Sequence, residues 1–434
     1  MSYRIAERWA HKHEVDPIAL EDYVDFGGFQ AVRKVTEMED QQVLDTLLKA
    51  NLLGRGGAAY PAGRKWQQMY NIKEGPKYIV CNADEGEPGT FKDRELLMHK
   101  PYSVIEGMLI AGWLFKSNRG FIYVRGEYRP IQTTFQLALD RARAAGYLGK
   151  NILGIEGFDF DITVVSGAGA YVCGENSTLL NSIEGKAGRP RIKPPHLAEV
   201  GLYSKPTLVN NVETYAQVWL LFHEGLEALL ANGTPTDGGT KLVSISGHAK
   251  NRGCYEIKGG TPIRNILFDE DLGGGTSTGR PIQFYHMGGQ SGPIGFPEQM
   301  DTHYDYDSLK AEGLSVGSGA MVVMDDSVCL VDYCKHVMEF LADESCGKCT
   351  PCRLGTTRLL ELLTAFTEGK AQPGDVEKLE EMARQVSKLA ACGLGQAADK
   401  ALLSALKHRR GEFEAHIQGK CPAGACKLCG GETK

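Results

Sequence analysis

An α/β sandwich built on a mostly parallel sheet, then a small β-rich domain, then a helical C-terminal region, is the fold class this sequence predicts. Three observations carry it. Apolar β-type runs alternate with helical stretches through residues 1–233. A Gly/Thr/Pro/Asp linker at residues 234–240 opens a stretch of short β-type runs. From residue 328 onward the apolar spacing is helical.

The elements follow in order. Residues 1–50 are helical in parts, with Val43, Leu44, Leu47 and Leu48 at helical spacing. A Gly-rich loop, GRGGAAYPAGRKW, fills residues 54–66. A strand is expected at residues 77–81, and the polar loop NADEGEPGTFKDR follows it at residues 82–94. A helix at 103–115 leads to a strand at 120–124, and a helix at 131–145 to a strand at 161–165. That strand runs into a second Gly-rich loop and a helical segment, GAGAYVCGENSTLLNSIEG, at residues 167–185. Beyond the linker, β-type runs lie at 241–246, 255–257, 281–285 and 320–324, and one helix at 263–268. Helices are expected at 354–366, at 376–389 with Asp375 as its cap, and at 401–417. The domains expected are therefore 1–233, 234–327 and 328–415, with a Cys-rich tail at 416–434.

Composition narrows the function classes. The chain has 434 residues, 42% apolar and 24% charged, which excludes a disordered or fibrous protein. Its 48 basic and 54 acidic residues give a net charge of −6, so no nucleic-acid partner is expected. The longest strongly apolar stretch, residues 108–115, is too short to cross a bilayer, and the N-terminus lacks a signal core. We expect a cytoplasmic protein without direct membrane insertion. Twelve cysteines in such a chain read as metal or redox ligands, or as buried apolar residues.

Three motifs carry chemistry. The first is SCGKCTPCR at residues 345–353, a C-x2-C-x2-C array. Cys346, Cys349 and Cys352 can converge on one face of an iron–sulfur cube, and Cys392 supplies the fourth thiolate if a helical hairpin returns it. Lys348 and Arg353 would offset the cluster's charge. The rival readings are a zinc site and free core thiols, though zinc favours paired rather than triple x2-spaced cysteines. The second signal is the pair of Gly-rich loops, whose amides can cradle a phosphate, together with Asn82, Asp84, Glu85 and Glu87 just past a strand, where open α/β sheets bind ligands. Each can also be an ordinary turn or solvated loop. The third is the tail, where His416, Cys421, Cys426 and Cys429 can close a tetrahedral Cys3His zinc site. A second cluster with a further ligand, or a metal-free tail, are its alternatives. Cys81, Cys173, Cys254, Cys329 and Cys334 read as buried structural thiols.

Taken together these motifs, with RIKPP and NNVET, resemble the NADH-oxidising flavoprotein subunit of respiratory complex I. The same family includes relatives in soluble NAD-linked hydrogenases, formate dehydrogenases and electron-bifurcating enzymes. The resemblance covers nearly the whole chain and implies three domains: a Rossmann-like α/β domain binding FMN, a ubiquitin-like β-grasp (SLBB-type) domain, and a helical bundle with one [4Fe–4S] cluster. It places FMN among Gly54, Arg55, Gly57, Lys65, Asn82, Asp84, Glu85, Tyr171, Gly174, Glu175, Asn210, Asn211 and Thr214. Tyr60, Glu87 and Lys193 match positions that contact NAD(H) or NADP(H), and Glu87 is expected near the hydride path. Cys346, Cys349, Cys352 and Cys392 match the cluster ligands.

The implied activity is NAD(P)H:acceptor oxidoreduction: hydride exchange with FMN, then single electrons through the cluster. The implied partners are a thioredoxin-like [2Fe–2S] subunit and a larger iron–sulfur or catalytic subunit. Departures from the family pattern are Asn176 in place of a second acid, His196 in place of a Phe, and Gln67-Gln68 where an aromatic is expected. They motivate an alternative, a flavin/iron–sulfur relay or assembly subunit without nicotinamide turnover. Neither the thioredoxin-like nor the ferredoxin extension of some relatives is expected from this sequence. It keeps the tail motif that precedes the latter, which points toward the bifurcating branch.

Overall fold

The computed structural model describes residues 16, 18–192, 194–426 and 428. These form two units. One contains the described residues up to Gly86, Phe91–Val243 and Cys254–Gly260; the other contains Glu87–Thr90, Ser244–Gly253 and the described residues from Thr261 onward.

The first unit is built on four parallel strands, β1 (Tyr78–Ala83), β2 (Arg119–Val124), β3 (Asp161–Ser166) and β4 (Thr207–Asn211). Their spatial order is β3-β2-β1-β4. The chain therefore steps outward from β1 to β3, then crosses to the other side of β1. Alternation along each strand feeds two apolar layers. Ile79, Cys81, Ala83, Ile122, Val124 and Leu208 enter one core, and Val80, Tyr123 and Val209 the other. The first core contains the almost wholly buried helices Pro101–Phe115 and Val212–Glu224. Gly107 lets them close, because a Cβ there would stand 2.2 Å from the Tyr215 carbonyl oxygen. The second core takes its cover from the helix Asn176–Ile183.

β4 is absent from the sequence expectation. Its five residues, TLVNN, are too short and too polar at their end to stand out, and its pairing with β1 creates it. The expected strands and long helices occur, each within a few residues of its predicted bounds. The helices Ala62–Asn71 and Lys92–His99 were also not anticipated.

In the second unit, residues 244–247 of β5 (Thr240–Gly247) run parallel to β9 (Ala320–Asp325). The strand β6, Gly253–Lys258, belongs to the first unit from Cys254 on; β7 is Ile282–Met287 and β8 is Ile294–Gly295, and β7 is antiparallel to both β8 and β9. The helices Leu330–Asp343, Thr350–Thr367, Asp375–Leu389 and Lys400–Ile417 follow. Asp375 is not the cap of its helix. Gly374 holds that position in the left-handed region at φ 92°, and Asp375 instead accepts from the Gln372 amide at 2.8 Å.

One buried acid organises the N-terminal helices. Phe29 caps the helix Gln30–Thr36 but has no side-chain oxygen to offer its amides. Glu106, from the helix Pro101–Phe115, supplies one instead. It accepts from Phe29 N at 2.7 Å, Val32 N at 2.9 Å and the Tyr23 hydroxyl at 2.5 Å. Burial pushes its carboxyl up to about 7, against the lowering effect of those bonds. A carboxyl whose folded value is raised holds its proton more tightly in the folded state. Its contribution is complete below the unfolded value, near 4.3, and is lost as pH rises through 7. Glu106→Gln should therefore flatten the fall in stability between about pH 5 and 7. It should also cost about 1–3 kcal/mol at pH 5, where one acceptor is lost from a buried set. Urea unfolding of the variant and parent across that range checks both; equal slopes would refute the assignment.

Candidate functional site

The crevice at the C-terminal ends of β1 and β4 is where the strand order reverses, the position at which open α/β sheets bind ligands. Register places Asn82 opposite Asn211 and Cys81 opposite Asn210. Asn82 donates to the Gly174 carbonyl at 2.9 Å and to Asn176 Oδ1 at 3.0 Å, and accepts from the Asp84 amide at 3.1 Å. Asn176 thus holds a residue of the crevice. Glu175 caps the helix Asn176–Ile183, accepting from Thr178 N at 2.9 Å and from the Ser177 hydroxyl. Tyr171 and Gly174 form the short turn before it, and a Cβ on Gly86 would meet Tyr171 at 3.1 Å.

The first Gly-rich loop lies over β4. A Cβ on Gly56 would stand 3.0 Å from Asn211, and Gly57 takes φ 108°, which only glycine adopts readily. The Arg55 amide donates to Thr214 at 2.9 Å. Its guanidinium is buried and engaged elsewhere, with Asp237 at 2.6 Å and with the carbonyls of Gly238 and Thr240. Both the amide and the guanidinium of Arg55 are thus committed within the protein. Lys65 donates to the Val209 carbonyl at 2.9 Å, and Tyr60, exposed nearby, accepts from Gln68 at 2.8 Å.

Beneath the loop runs a buried charge network. Glu213 lies 3.0 Å from Lys92 and 3.7 Å from Lys241, and it accepts from the Leu242 amide at 2.9 Å. Burial opposes its charge, but Lys241, Lys92 and Arg55 outweigh that and hold the carboxyl low. Lys92 also meets Asp93 at 2.7 Å, and Asp93 accepts from Asn211 at 2.6 Å. Burial pulls Lys241 down to about 8. Glu85 caps the helix Lys92–His99, accepting from Asp93 N at 2.8 Å and Arg94 N at 3.0 Å. Burial, then the charge of Asp93, push it up to about 8.

Glu87 belongs to the second unit. It accepts from Ser291 N at 2.8 Å and from the Ser291 hydroxyl at 3.2 Å. Gly289 leaves space for it, since a Cβ there would stand 2.0 Å from the Glu87 side chain. Lys193 lies outside the described residues. His196 is exposed, and its amide donates to Glu199 at 3.1 Å.

The second unit gathers two thiol sets. Cys349 caps the helix Thr350–Thr367, with Cys352 in its first turn, and Cys392 caps the short helix Gly393–Gln396. The helices Thr350–Thr367 and Asp375–Leu389 form the hairpin that returns Cys392. Burial pushes the Cys352 and Cys392 thiols up, and each feels the charges of Cys346 and Cys349. The amides of Leu394 and Gly395 point at Cys392, and a Cβ on Gly395 would press on Cys352 at 3.1 Å. Four converging thiols, amide donors and a side-chain-free rim suit an anionic iron–sulfur cluster.

The other set differs from the sequence expectation. Cys329, read as a structural thiol, stands with His416, Cys421 and Cys426, and one donor atom of each lies within 4.8 Å of the others. Cys429 lies outside the described residues. Cys329 is 87 positions from His416, so no local spacing betrays it. His416 Nε2 is 3.4 Å from Cys329 Sγ and 3.5 Å from Cys426 Sγ, while Nδ1 meets the Glu412 carbonyl at 2.7 Å. That bond leaves the Nε2 lone pair aimed at the thiols. Cys329 is held down to about 4 by Cys426, His416 and the Asp332 amide. A compact Cys3His set suits one tetrahedral ion.

Residues 47–220 match the Nuo51 FMN-binding domain, and residues 332–416 the iron–sulfur binding region of NADH-ubiquinone oxidoreductase-F. The chain is 42% identical over 413 residues to the NADP-reducing hydrogenase subunit HndC of Solidesulfovibrio fructosivorans, covering 95% of this chain and 84% of that one. It is 41% identical over 404 residues to an NADH-quinone oxidoreductase subunit of Streptomyces coelicolor, covering 93% and 89%. A solved NAD+-reducing [NiFe]-hydrogenase in the H2-reduced state superposes with a TM-score of 0.79 at 32% identity, over 88% of this chain and 64% of that one. No helix among the described residues is long and apolar enough to cross a membrane. The crevice lies in the segment that matches the FMN-binding model and the four thiols in the segment that matches the iron–sulfur model; the chain belongs to the family of NADH-ubiquinone oxidoreductase-F and its hydrogenase relatives.

Proposed function

We propose that the chain is the flavin and iron–sulfur subunit of a multi-subunit NAD(P)H:acceptor oxidoreductase. The observation that supports this best is that one chain holds both the β1–β4 crevice and the four-thiol centre, in the two segments that match the family models. Bound flavin converts a hydride's electron pair into single electrons that a [4Fe–4S] centre can take. The chain's part is placement. The amides of Gly56 and Gly57 and the Lys65 ammonium suit the phosphate of FMN. Asn82, Asp84, Glu85, Tyr171, Gly174, Glu175, Asn210, Asn211 and Thr214 suit its ribityl chain and ring. Glu87, Tyr60 and Lys193 are assigned to the nicotinamide dinucleotide, and Cys346, Cys349, Cys352 and Cys392 to the cluster.

Partners in this reading are a thioredoxin-like [2Fe–2S] subunit and a larger redox subunit, in the cytoplasm. Residues 234–327 form a β-grasp domain between an α/β domain (1–233) and a helical domain (328–415). In support, the sheet pairs strands in both directions, and the helix Ile263–Phe268 follows β6 in the chain.

Anaerobic titration with NADH and NADPH tests nicotinamide turnover. Bleaching of the flavin by either supports it. No response to either would favour a relay subunit, for which the departures at Asn176, His196 and Gln68 are the motivation. Cys349→Ser should abolish the reduced cluster's paramagnetic signal at low temperature and leave FMN bound, because thiols and crevice lie in different units. Loss of both would count against that separation.

For the Cys3His set we assign a structural zinc ion, held by Cys329, His416, Cys421 and Cys426. Elemental analysis should find about one zinc and about four irons per chain. Cys329→Ser should lose the zinc and keep the iron, and Cys429→Ser should keep both. Zinc lost only in the Cys429 variant would refute this ligand set, and about eight irons without zinc would mean a second cluster.

A further inference from the structure

The loop between β7 and β8 carries the residue that holds Glu87. Its sequence is Gly288-Gly289-Gln290-Ser291-Gly292. Three of these five residues are glycines, and Gly288 and Gly289 take φ 74° and 84°. Such a backbone has more freedom than most, so its shape has to be imposed by its neighbours. Part of that is backbone packing. The Gly288 amide donates to the Ala320 carbonyl at 2.8 Å, and a Cβ on Gly292 would stand 1.7 Å from the Met287 carbonyl oxygen. The turn that bears Glu87 is seated on the same region. The Thr90 and Ser318 hydroxyls meet at 2.6 Å, and the Ser318 hydroxyl donates to the Gly288 carbonyl at 3.1 Å. Glu87 accepts from both the amide and the hydroxyl of Ser291.

The rest is supplied by a buried histidine. His286, on β7, is 0% exposed. Its Nε2 lies 2.9 Å from the Gly292 carbonyl, and its Nδ1 lies 2.9 Å from the Tyr333 hydroxyl. A carbonyl only accepts, so Nε2 carries the hydrogen and Nδ1 accepts from Tyr333. Phe284 and His286 share one face of β7, and both meet the Tyr333 ring edge-on, with centroids 5.1 and 5.6 Å away. An apolar ring at 286 would fill the same space without the cost of burying an imidazole. What the imidazole adds is a donor at fixed reach. Burial pushes its pKa down to about 4, so it stays neutral at ordinary pH with that hydrogen in place. Tyr333 stands in the first turn of the helix Leu330–Asp343, its amide bonded to the Cys329 carbonyl at 2.9 Å. A buried path therefore runs from that helix start through Tyr333 and His286 to Gly292, whose neighbour Ser291 grips Glu87.

We propose that His286 is a positioning residue for Glu87: by pinning the Gly292 carbonyl it fixes Ser291, and Ser291 fixes the Glu87 carboxylate. The consequence for turnover rests on the assignment of Glu87 to the nicotinamide dinucleotide. His286 is wholly enclosed and acts only through the loop. Without the Nε2 hydrogen, the Gly292 carbonyl loses that donor and the glycine-rich loop is free to shift. A carboxylate displaced by about 1 Å loses most of a hydrogen bond to its ligand, and turnover falls with it.

The test uses the full chain with FMN and cluster in place, and two substitutions of opposite kind. His286→Phe keeps the bulk and removes the donor. His286→Gln keeps a nitrogen donor near the place of Nε2. Hydrogen exchange over residues 287–293, read by mass spectrometry, reports the loop with no nicotinamide present. It should quicken about tenfold in His286→Phe and stay within about twofold of the parent in His286→Gln. Turnover of NADH or NADPH with ferricyanide as acceptor reports Glu87. There kcat/KM should fall about tenfold in His286→Phe and recover in His286→Gln. In a Glu87→Ala background the same His286→Phe change should cost less than about twofold, because the two residues act as one unit. Additive losses would overturn the proposal, since His286 would then support the fold rather than Glu87. Unchanged exchange in His286→Phe would overturn it too. Should His286→Phe fail to fold, Tyr333→Phe keeps its ring and frees Nδ1. It should quicken exchange and lower kcat/KM several-fold, the latter only with Glu87 present. A parent that turns over neither nucleotide defeats the reading of Glu87, and the exchange result then decides alone whether His286 holds the loop.

Discussion

The buried charges around Glu213 are the interaction on which the crevice depends. Glu213 opens the helix that follows β4, and its carboxylate faces Lys92, Lys241 and, at 4.0 Å, Arg55. Each cation belongs to a different segment: the Gly-rich loop, the helix after β1 and the start of β5. Asp93 and Asp237 complete the set from two further positions. Four pieces of chain, at Arg55, Lys92–Asp93, Glu213 and Asp237–Lys241, are thereby tied together. Such a network gives little net stability, because desolvation offsets most of the attraction, while removing one member strands the others at high cost. What it supplies is position. Arg55 spends its guanidinium on this anchor, and its amide ties the loop to Thr214.

A second constraint recurs in the helical unit. Cys329, Cys349 and Cys392 all stand at helix N-termini, each as the residue before the first turn. A helix start offers unpaired amides and partial positive charge, which favour thiolate over thiol and donate to metal-bound sulfur. Pro351 in the first turn of its helix costs nothing, because the amide it lacks would have no intrahelical partner. The same device serves the flavin-type unit with oxygen in place of sulfur. Glu175 and Asn211 cap the helices that flank the crevice, accepting from Thr178 and Glu213 amides. Caps that fix these turns also fix the side chains lining the pocket.

Much of this was legible in the sequence because it is local. The C-x2-C-x2-C array, the two Gly-rich loops and the alternation of strands with helices each need only a short window of residues. What escaped is what only distant pairing creates. β4 is a strand because β1 lies beside it, not because TLVNN demands one. Arg55 looks like a ligand in its loop, and its true partner, Asp237, is 182 residues away. Asn176 reads as a lost acid until its bond to Asn82 shows it holding the crevice. Cys329 sits among apolar neighbours in sequence, and Leu330 and Val331 beside it are indeed buried. Its thiol nevertheless faces the tail, since the N-cap position turns the side chain back across its own helix start.

Two thiol-rich sets in one helical unit raise the question of how each selects its inorganic partner. Donor identity and compactness separate them. The tail set includes an imidazole whose other nitrogen is already committed to the Glu412 carbonyl, and its four donor atoms lie within 4.8 Å, close enough for one ion to touch all of them. A borderline ion with no geometric demand of its own fits that mixture. The hairpin set has four sulfurs, no nitrogen, and a rim kept open by Gly393 and Gly395. Its cations, Lys348 and Arg353, offset a negative charge that four thiolates on one divalent ion would also carry, so charge alone does not discriminate. The triple x2 spacing does. It turns three sulfurs around one helix start, with Cys349 as cap and Cys352 within the first turn, and leaves the fourth corner to the far end of the hairpin. A cluster that takes thiolates from both helices of the hairpin matches that spacing.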